Sequence, residues 1–168
     1  GLIRYQEFAP RALLPGSVYF QDLNLSLAPF RLGKSEEAFP LEKTHLHGTA
    51  KLMGTGDMEI NSTLFFESPY PMDVELIMGE FDLKGVNNLL SNGVFAEVVS
   101  GKVTRGNWNF RIDENEALGK MTLNYKDLKI RLLDTLTMLP ATGKMGLLTF
   151  AANTLIKNSN PRKLFNNQ

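Results

Sequence analysis

Apolar and polar residues alternate with a period of two along most of the chain, the mark of strands with one face toward a core and the other toward water. Leu23, Leu25 and Leu27 alternate with Asn24 and Ser26, and Leu46, Ala50 and Leu52 with His47, Thr49 and Lys51. Met58, Ile60, Leu64 and Phe66 oppose Asp57, Glu59, Asn61 and Thr63, Phe65 being the one apolar residue on the polar side. Met72, Val74, Leu76 and Met78 oppose Asp73 and Glu75. Trp108, Phe110 and Ile112 oppose Asn107, Asn109 and Arg111, and Met121, Leu123 and Tyr125 oppose Lys120, Thr122 and Asn124. Apolar positions then become even at Leu128, Ile130 and Leu132. A slip of one residue turns every later side chain to the other face, so the pattern predicts a bulge near Lys126–Asp127.

Turn signals separate the runs: Gly54-Thr-Gly-Asp57, Pro69-Tyr-Pro71, Ser100-Gly101, Arg105-Gly-Asn107 and Asp113-Glu-Asn-Glu116. The expected fold is mainly β: a curved antiparallel meander of roughly eight strands, groove-like or an open barrel. Arg31–Lys43 reads as a long polar loop, and Gly85–Gly93 as one short internal helix. After Asp134 the spacing of Leu147, Leu148, Ala151, Ala152, Leu155 and Ile156 becomes helical. A β-meander domain over 1–138 is therefore expected, followed at 139–168 by a carboxyl-terminal amphipathic helix and a basic, asparagine-rich tail. Two segments echo others: Phe20-Gln-Asp-Leu-Asn-Leu-Ser-Leu27 beside Tyr125-Lys-Asp-Leu-Lys-Ile-Arg-Leu132, and Gly48–Ile60 beside Gly101–Ile112. They suggest a repetitive meander of strand-turn-strand units.

Composition narrows the function classes. The 168 residues suit one domain, 43% hydrophobic and 21% charged content is that of a globular chain, and 18 basic residues balance 18 acidic ones. Zero net charge removes the bulk electrostatic case for nucleic acid. The absence of cysteine excludes disulfides, thiolate metal sites and thiol catalysis. Uncharged runs such as Met145–Ile156 fall short of the roughly 20 residues of a membrane-spanning helix. The start at Gly1, without an initiator methionine, reads as a cloning or processing remnant of a longer chain, with any targeting signal or anchor lying in the missing part.

Candidate chemistry is sparse. His45 and His47 share one strand face and offer two nitrogens, but no third ligand lies near in sequence, so they read as solvated surface histidines. The pairs Asp57/Glu59 and Asp73/Glu75, and the group Asp113, Glu114 and Glu116, fall on polar faces or turns rather than in a cleft that shifts a pKa. No nucleophile elbow, phosphate loop or dinucleotide glycine pattern occurs. No catalytic residue, cofactor or metal is expected. The apolar face is the open question, because one carboxyl-terminal helix cannot cover eight strands. Either the sheet curls until the face meets itself, or the face remains a groove for an apolar ligand. The expected groove wall is Phe66, Met78, Trp108, Phe110, Met121, Leu123 and Tyr125, and the seven methionines of the chain suit an adaptable lining.

Val103–Phe110, the run Gly119-Lys-Met-Thr-Leu-Asn-Tyr-Lys-Asp-Leu128 and Asn153–Pro161 resemble the carboxyl-terminal portion of AsmA-like envelope proteins of Bacteroidetes-type bacteria. The Gly-Lys-x-x-x-Gly hairpin of Gly101–Gly106 and the Asp-Leu strand openings are similar to the body of that family. The resemblance covers roughly the last 70 residues well and the rest loosely. It implies a β-sheet groove exposed in the periplasm, anchored by an amino-terminal membrane helix outside this chain, and a role in outer-membrane biogenesis or phospholipid transport. Its implied partners are phospholipid or another apolar ligand, plus a membrane or envelope protein met by the carboxyl-terminal helix. It carries over no catalytic residue. The alternative is a protein-interaction module with a closed core and no ligand; a glycan-acting enzyme on the same strands is a weaker third.

Overall fold

The computed structural model describes residues 1–10, 12–30, 42–144, 146, 148, 149 and 153. Its strands are β1 (Leu2–Glu7), β2 (Gly16–Ala28), β3 (Lys43–Leu52), β4 (Gly56–Phe65), β5 (Met72–Met78), β6 (Phe81–Asp82), β7 (Ala96–Ile112) and β8 (Ala117–Leu132). A 3-10 turn, Leu83–Val86, leads into the helix α1, Asn87–Val94. All pairings are antiparallel, in the meander order β1-β2-β3-β4-β5-β7-β8, with β6 continuing the β5 side of β7. The first and last strands do not pair, so the sheet is open. The expected Arg31–Lys43 loop falls almost wholly outside the described residues, and so does most of the expected carboxyl-terminal amphipathic helix.

The alternating pattern becomes rows of side chains that cross the sheet. Leu25, Gly48, Ile60, Leu76, Trp108 and Met121 form one row of opposed residues, and Leu27, Leu46, Ser62, Val74, Phe110 and Gly119 the next. The opposite face carries the row His47, Asn61, Glu75, Asn109 and Lys120. Rows stay in phase because bulges correct the parity. The predicted bulge is present: Lys126 opposes Lys102 and Lys129 opposes Ser100, with Asp127 at φ 56°. A matching bulge lies between Gln21 and Asn24, with Asp22 at φ 54°. Aspartate tolerates this left-handed conformation better than most residues. The echo between Phe20–Leu27 and Tyr125–Leu132 is therefore a shared bulge. The second echo is not a shared hairpin. Met53 and Gly54, at φ 49° and 75°, reverse the chain between β3 and β4, whereas β7 runs unbroken through Gly101 and Gly106.

The sheet curls with its apolar face inward. Adjacent residues of α1 hold two strands that lie four places apart. Asn87 brackets Val98 of β7, accepting from its N–H at 2.8 Å and donating to its carbonyl at 3.0 Å. Asn88 accepts from the backbone N–H and hydroxyl of Ser17 in β2, at 2.9 and 2.8 Å. In a flat sheet those strands would stand about 19 Å apart. Gly16 admits the helix, since a Cβ there would lie 2.9 Å from the Leu89 carbonyl oxygen. Beside the helix, with Leu83 and Val86 of the 3-10 turn packed on it, sits the core of Leu52, Met78, Phe81 and Val103, with Phe81 only 3% and Val103 1% exposed. The result is a trough plugged at the α1 end. Along the outer edge of β8, Asn153 exchanges hydrogen bonds with the Ile130 backbone at 2.6 and 2.9 Å, and the Thr149 hydroxyl accepts from Leu132 N–H at 3.2 Å. The edge at Ile130 and Leu132 is thereby closed to further strand pairing.

Candidate apolar trough

Beyond the plug the inward face is lined by aliphatic and aromatic side chains that nothing among the described residues covers. Leu25 is 57%, Leu27 40% and Met121 64% exposed, while Leu46, Ile60, Val74, Leu76, Trp108 and Phe110 are half-buried between them. An apolar hollow of about 160 Å³ opens among Ile3, Phe20, Leu23, Met58, Ile60 and Leu76. A second, of about 390 Å³, lies at the far rim among Leu64, Phe66, Tyr70, Met72 and Ile112. The two buried polar side chains on this face are silenced by backbone: the Thr44 hydroxyl donates to Pro29 O at 2.6 Å, and that of Ser62 to Asp73 O at 2.9 Å. With these two hydroxyls paired, the surface offers mainly apolar area, which binds by excluding water.

The expected wall residues separate into three groups. Trp108, Phe110 and Met121 lie on the open part of the trough, Trp108 opposing both Leu76 and Met121. Leu123 opposes Gly106 and Tyr125 opposes Val103, which places them at the boundary with the plug; Leu123 and Trp108 also pack on the core. Phe66 is 46% exposed at the far rim. Met78 requires a correction: at 8% exposure it belongs to the core with Leu52, Phe81 and Val103, against which Leu83 and Val86 of the 3-10 turn pack, and not to an accessible wall. Sequence reasoning missed the contribution of β2 to β5, whose Leu25, Leu46, Ile60, Val74 and Leu76 form half of the trough. Their alternation was visible; what it did not tell was which strands the helix would leave bare.

Glycines on this face make room for rings. The indole of Trp108 lies over Gly106, and the Phe110 ring over Gly119, where any Cβ would overlap them. Leu25 and Ile60 close over Gly48, at 2.5 and 2.9 Å from where a Cβ would stand. Large side chains thus lie along the sheet instead of standing up from it. That keeps the trough shallow in profile but continuous.

The outward face carries a depression of about 550 Å³, bordered by His45, His47, Asn61, Asp73, Glu75 and Arg111. A twisted sheet is saddle-shaped, so each face is hollow in one direction. Its side chains engage each other across the strands. His45 Nδ1 lies 3.1 Å from the Thr63 hydroxyl, His47 Nδ1 2.8 Å from Asn61 Oδ1, and Arg111 donates to both Asp73 oxygens at 2.9 and 3.2 Å. Among the described residues no three His, Asp or Glu side chains gather as a metal site. Two carboxyls in turns are displaced by backbone hydrogen bonds. Backbone N–H groups of Asn115 and Glu116 hold the Asp113 carboxyl below its ordinary range, and those of Thr137 and Leu136 do the same for Asp134.

Comparison with protein-family models, curated proteins and solved structures finds no match to this chain. No helix among the described residues is long and apolar enough to cross a membrane.

Proposed function

We propose that this chain is a non-catalytic, AsmA-like segment of the periplasm that shields lipid acyl chains in its trough and contributes to outer-membrane biogenesis or lipid transport. The observation that carries the reading is the uncovered apolar face beyond the plug, with Leu25 and Met121 more than half exposed on opposite sides of half-buried Ile60, Leu76 and Trp108. Each Å² of apolar surface removed from water stabilises a bound chain by about 25 cal/mol, which selects for length and hydrophobicity and leaves the head group at the rim. The motif resemblance supplies the compartment and the lipid class; the shape supports an apolar ligand of extended form.

Mass spectrometry of organic extracts from the purified chain tests this. Copurifying phospholipid is expected, and it should be lost in Val74→Glu and Met121→Glu, which place a charge in the trough without entering the core. Trp108→Glu is a poorer probe because the indole also packs on that core. A folded chain that carries no lipid and takes none from micelles overturns the reading in favour of a protein-interaction module.

A further inference from the structure

We infer that the plug makes the trough a ruler for an acyl chain, which enters methyl end first and is measured at about 16 carbons; this rests on the lipid reading above. Rows of opposed residues lead from the plug to the far rim: Ile60, Leu76, Trp108 and Met121, then Ser62, Val74, Phe110 and Gly119, then Leu64, Met72, Ile112 and Ala117. The next row on the plug side, Met58, Met78, Gly106 and Leu123, is closed, because Met78 is core and Met58 and Leu123 pack against that core. Behind it the Phe81 ring, 3% exposed, fills the space over Gly56, where a Cβ would lie 2.7 Å from it. The other end opens past Phe66 and Tyr70, which are 46% and 58% exposed. The floor is blind at one end and open at the other.

From Ile60 to Phe66, β4 and its continuation advance about 20 Å, at roughly 3.4 Å per residue. An extended saturated chain advances about 1.25 Å per carbon, from a bond of about 1.5 Å at a near-tetrahedral angle, so about 16 carbons span that distance. Burial sets the direction of entry. The hollow nearest the plug, among Phe20, Leu23, Ala50, Met58 and Ile60, has a wholly apolar surface. A carboxylate or phosphate seated there would lose its water and gain no donor. At the far rim, beside exposed Tyr70, a head group keeps its water. Each methylene that enters the trough leaves water, and each one beyond the rim stays in it. Affinity therefore climbs about fourfold per carbon until the methyl end meets the plug, and then levels off.

Titration of the delipidated 168-residue chain with saturated fatty acids from decanoate to arachidate, followed by calorimetry, tests the inference. The dissociation constant should fall about fourfold per added carbon and level off near palmitate. Palmitate brominated near its methyl end should quench Trp108 more strongly than palmitate brominated beside its carboxyl group, since Trp108 stands in the row next to the plug. Ala50→Leu fills the inner hollow and should move the break about two carbons shorter. Leu23→Phe fills the same hollow from β2 and gives the same readout if Ala50→Leu does not fold. An affinity that keeps climbing to arachidate, a break that stays in place in a folded variant, or stronger quenching by the carboxyl-side bromine overturns the ruler and leaves the lipid trough standing. A folded chain that binds no fatty acid of any length sinks the trough, and the ruler with it.

Discussion

Gly106 and Trp108 show how closely a single residue is constrained on the trough floor. The indole occupies the space a side chain at residue 106 would need, with Leu123 Cδ1 3.2 Å away on the other side. Gly106→Ala should therefore destabilise the chain by about 1–3 kcal/mol through overpacking, read as a lower urea midpoint at unchanged slope. The sequence marked Gly106 as a turn, since glycine serves close approach as readily as reversal, and only the position of the indole distinguishes the two. Asp134 is constrained by charge. Its carboxylate is held below the ordinary range by backbone N–H groups of Thr137 and Leu136 and by the Thr137 hydroxyl. A depressed carboxyl contributes order that is present above the unfolded pKa and lost as pH falls through the folded one. Corrected for intrinsic rate, amide-exchange protection at Leu136 and Thr137 should fall in acid below the ordinary carboxylate range, and Asp134→Ala should abolish it at neutral pH.

At the scale of elements, the bulges and the helix clamp decide how the strands fit. The bulge at Asp127 was legible because β8 is cleanly alternating on both sides of it, so the change of parity shows. Its twin at Asp22 was hidden, since Val18-Tyr-Phe20 is apolar without alternation and gives no parity to break. At φ 54°, Asp22→Val should cost about 1–2 kcal/mol, and Asp22→Gly should leave the thermal midpoint nearly unchanged. The asparagines of α1 carried no signal either: in the sequence they look like loop residues, and their role as amide clamps exists only once β2 and β7 are brought together. Asn87→Ala leaves the N–H and carbonyl of buried Val98 without partners. It should cost about 2 kcal/mol or more and loosen the plug, seen as faster exchange of the Val98 amide.

For the whole molecule, the plug and the bare trough make one design: a core at one end holds the curl, and the curl shapes the rest of the apolar face. Trp108 is the only tryptophan and stands where the two regions meet, so its fluorescence reports occupancy. Titrating a delipidated chain with a long-chain fatty acid should shift the Trp108 emission and raise the melting temperature. At a hundredfold excess over the dissociation constant the gain is about 2.7 kcal/mol, and Val74→Glu should remove both responses. What the sequence determined by itself is which side chains share a face, because period-two alternation and antiparallel pairing are local rules that hold strand by strand. Which part of that face is buried was decided by the tertiary structure alone. Met78 and Phe110 have the same pattern, yet Met78 lies in the core on which the 3-10 turn packs and Phe110 remains half-bare. The difference comes from where the short segment Leu83–Val86 lands after the sheet has curled, and that depends on non-local contacts between strands that no stretch of sequence contains.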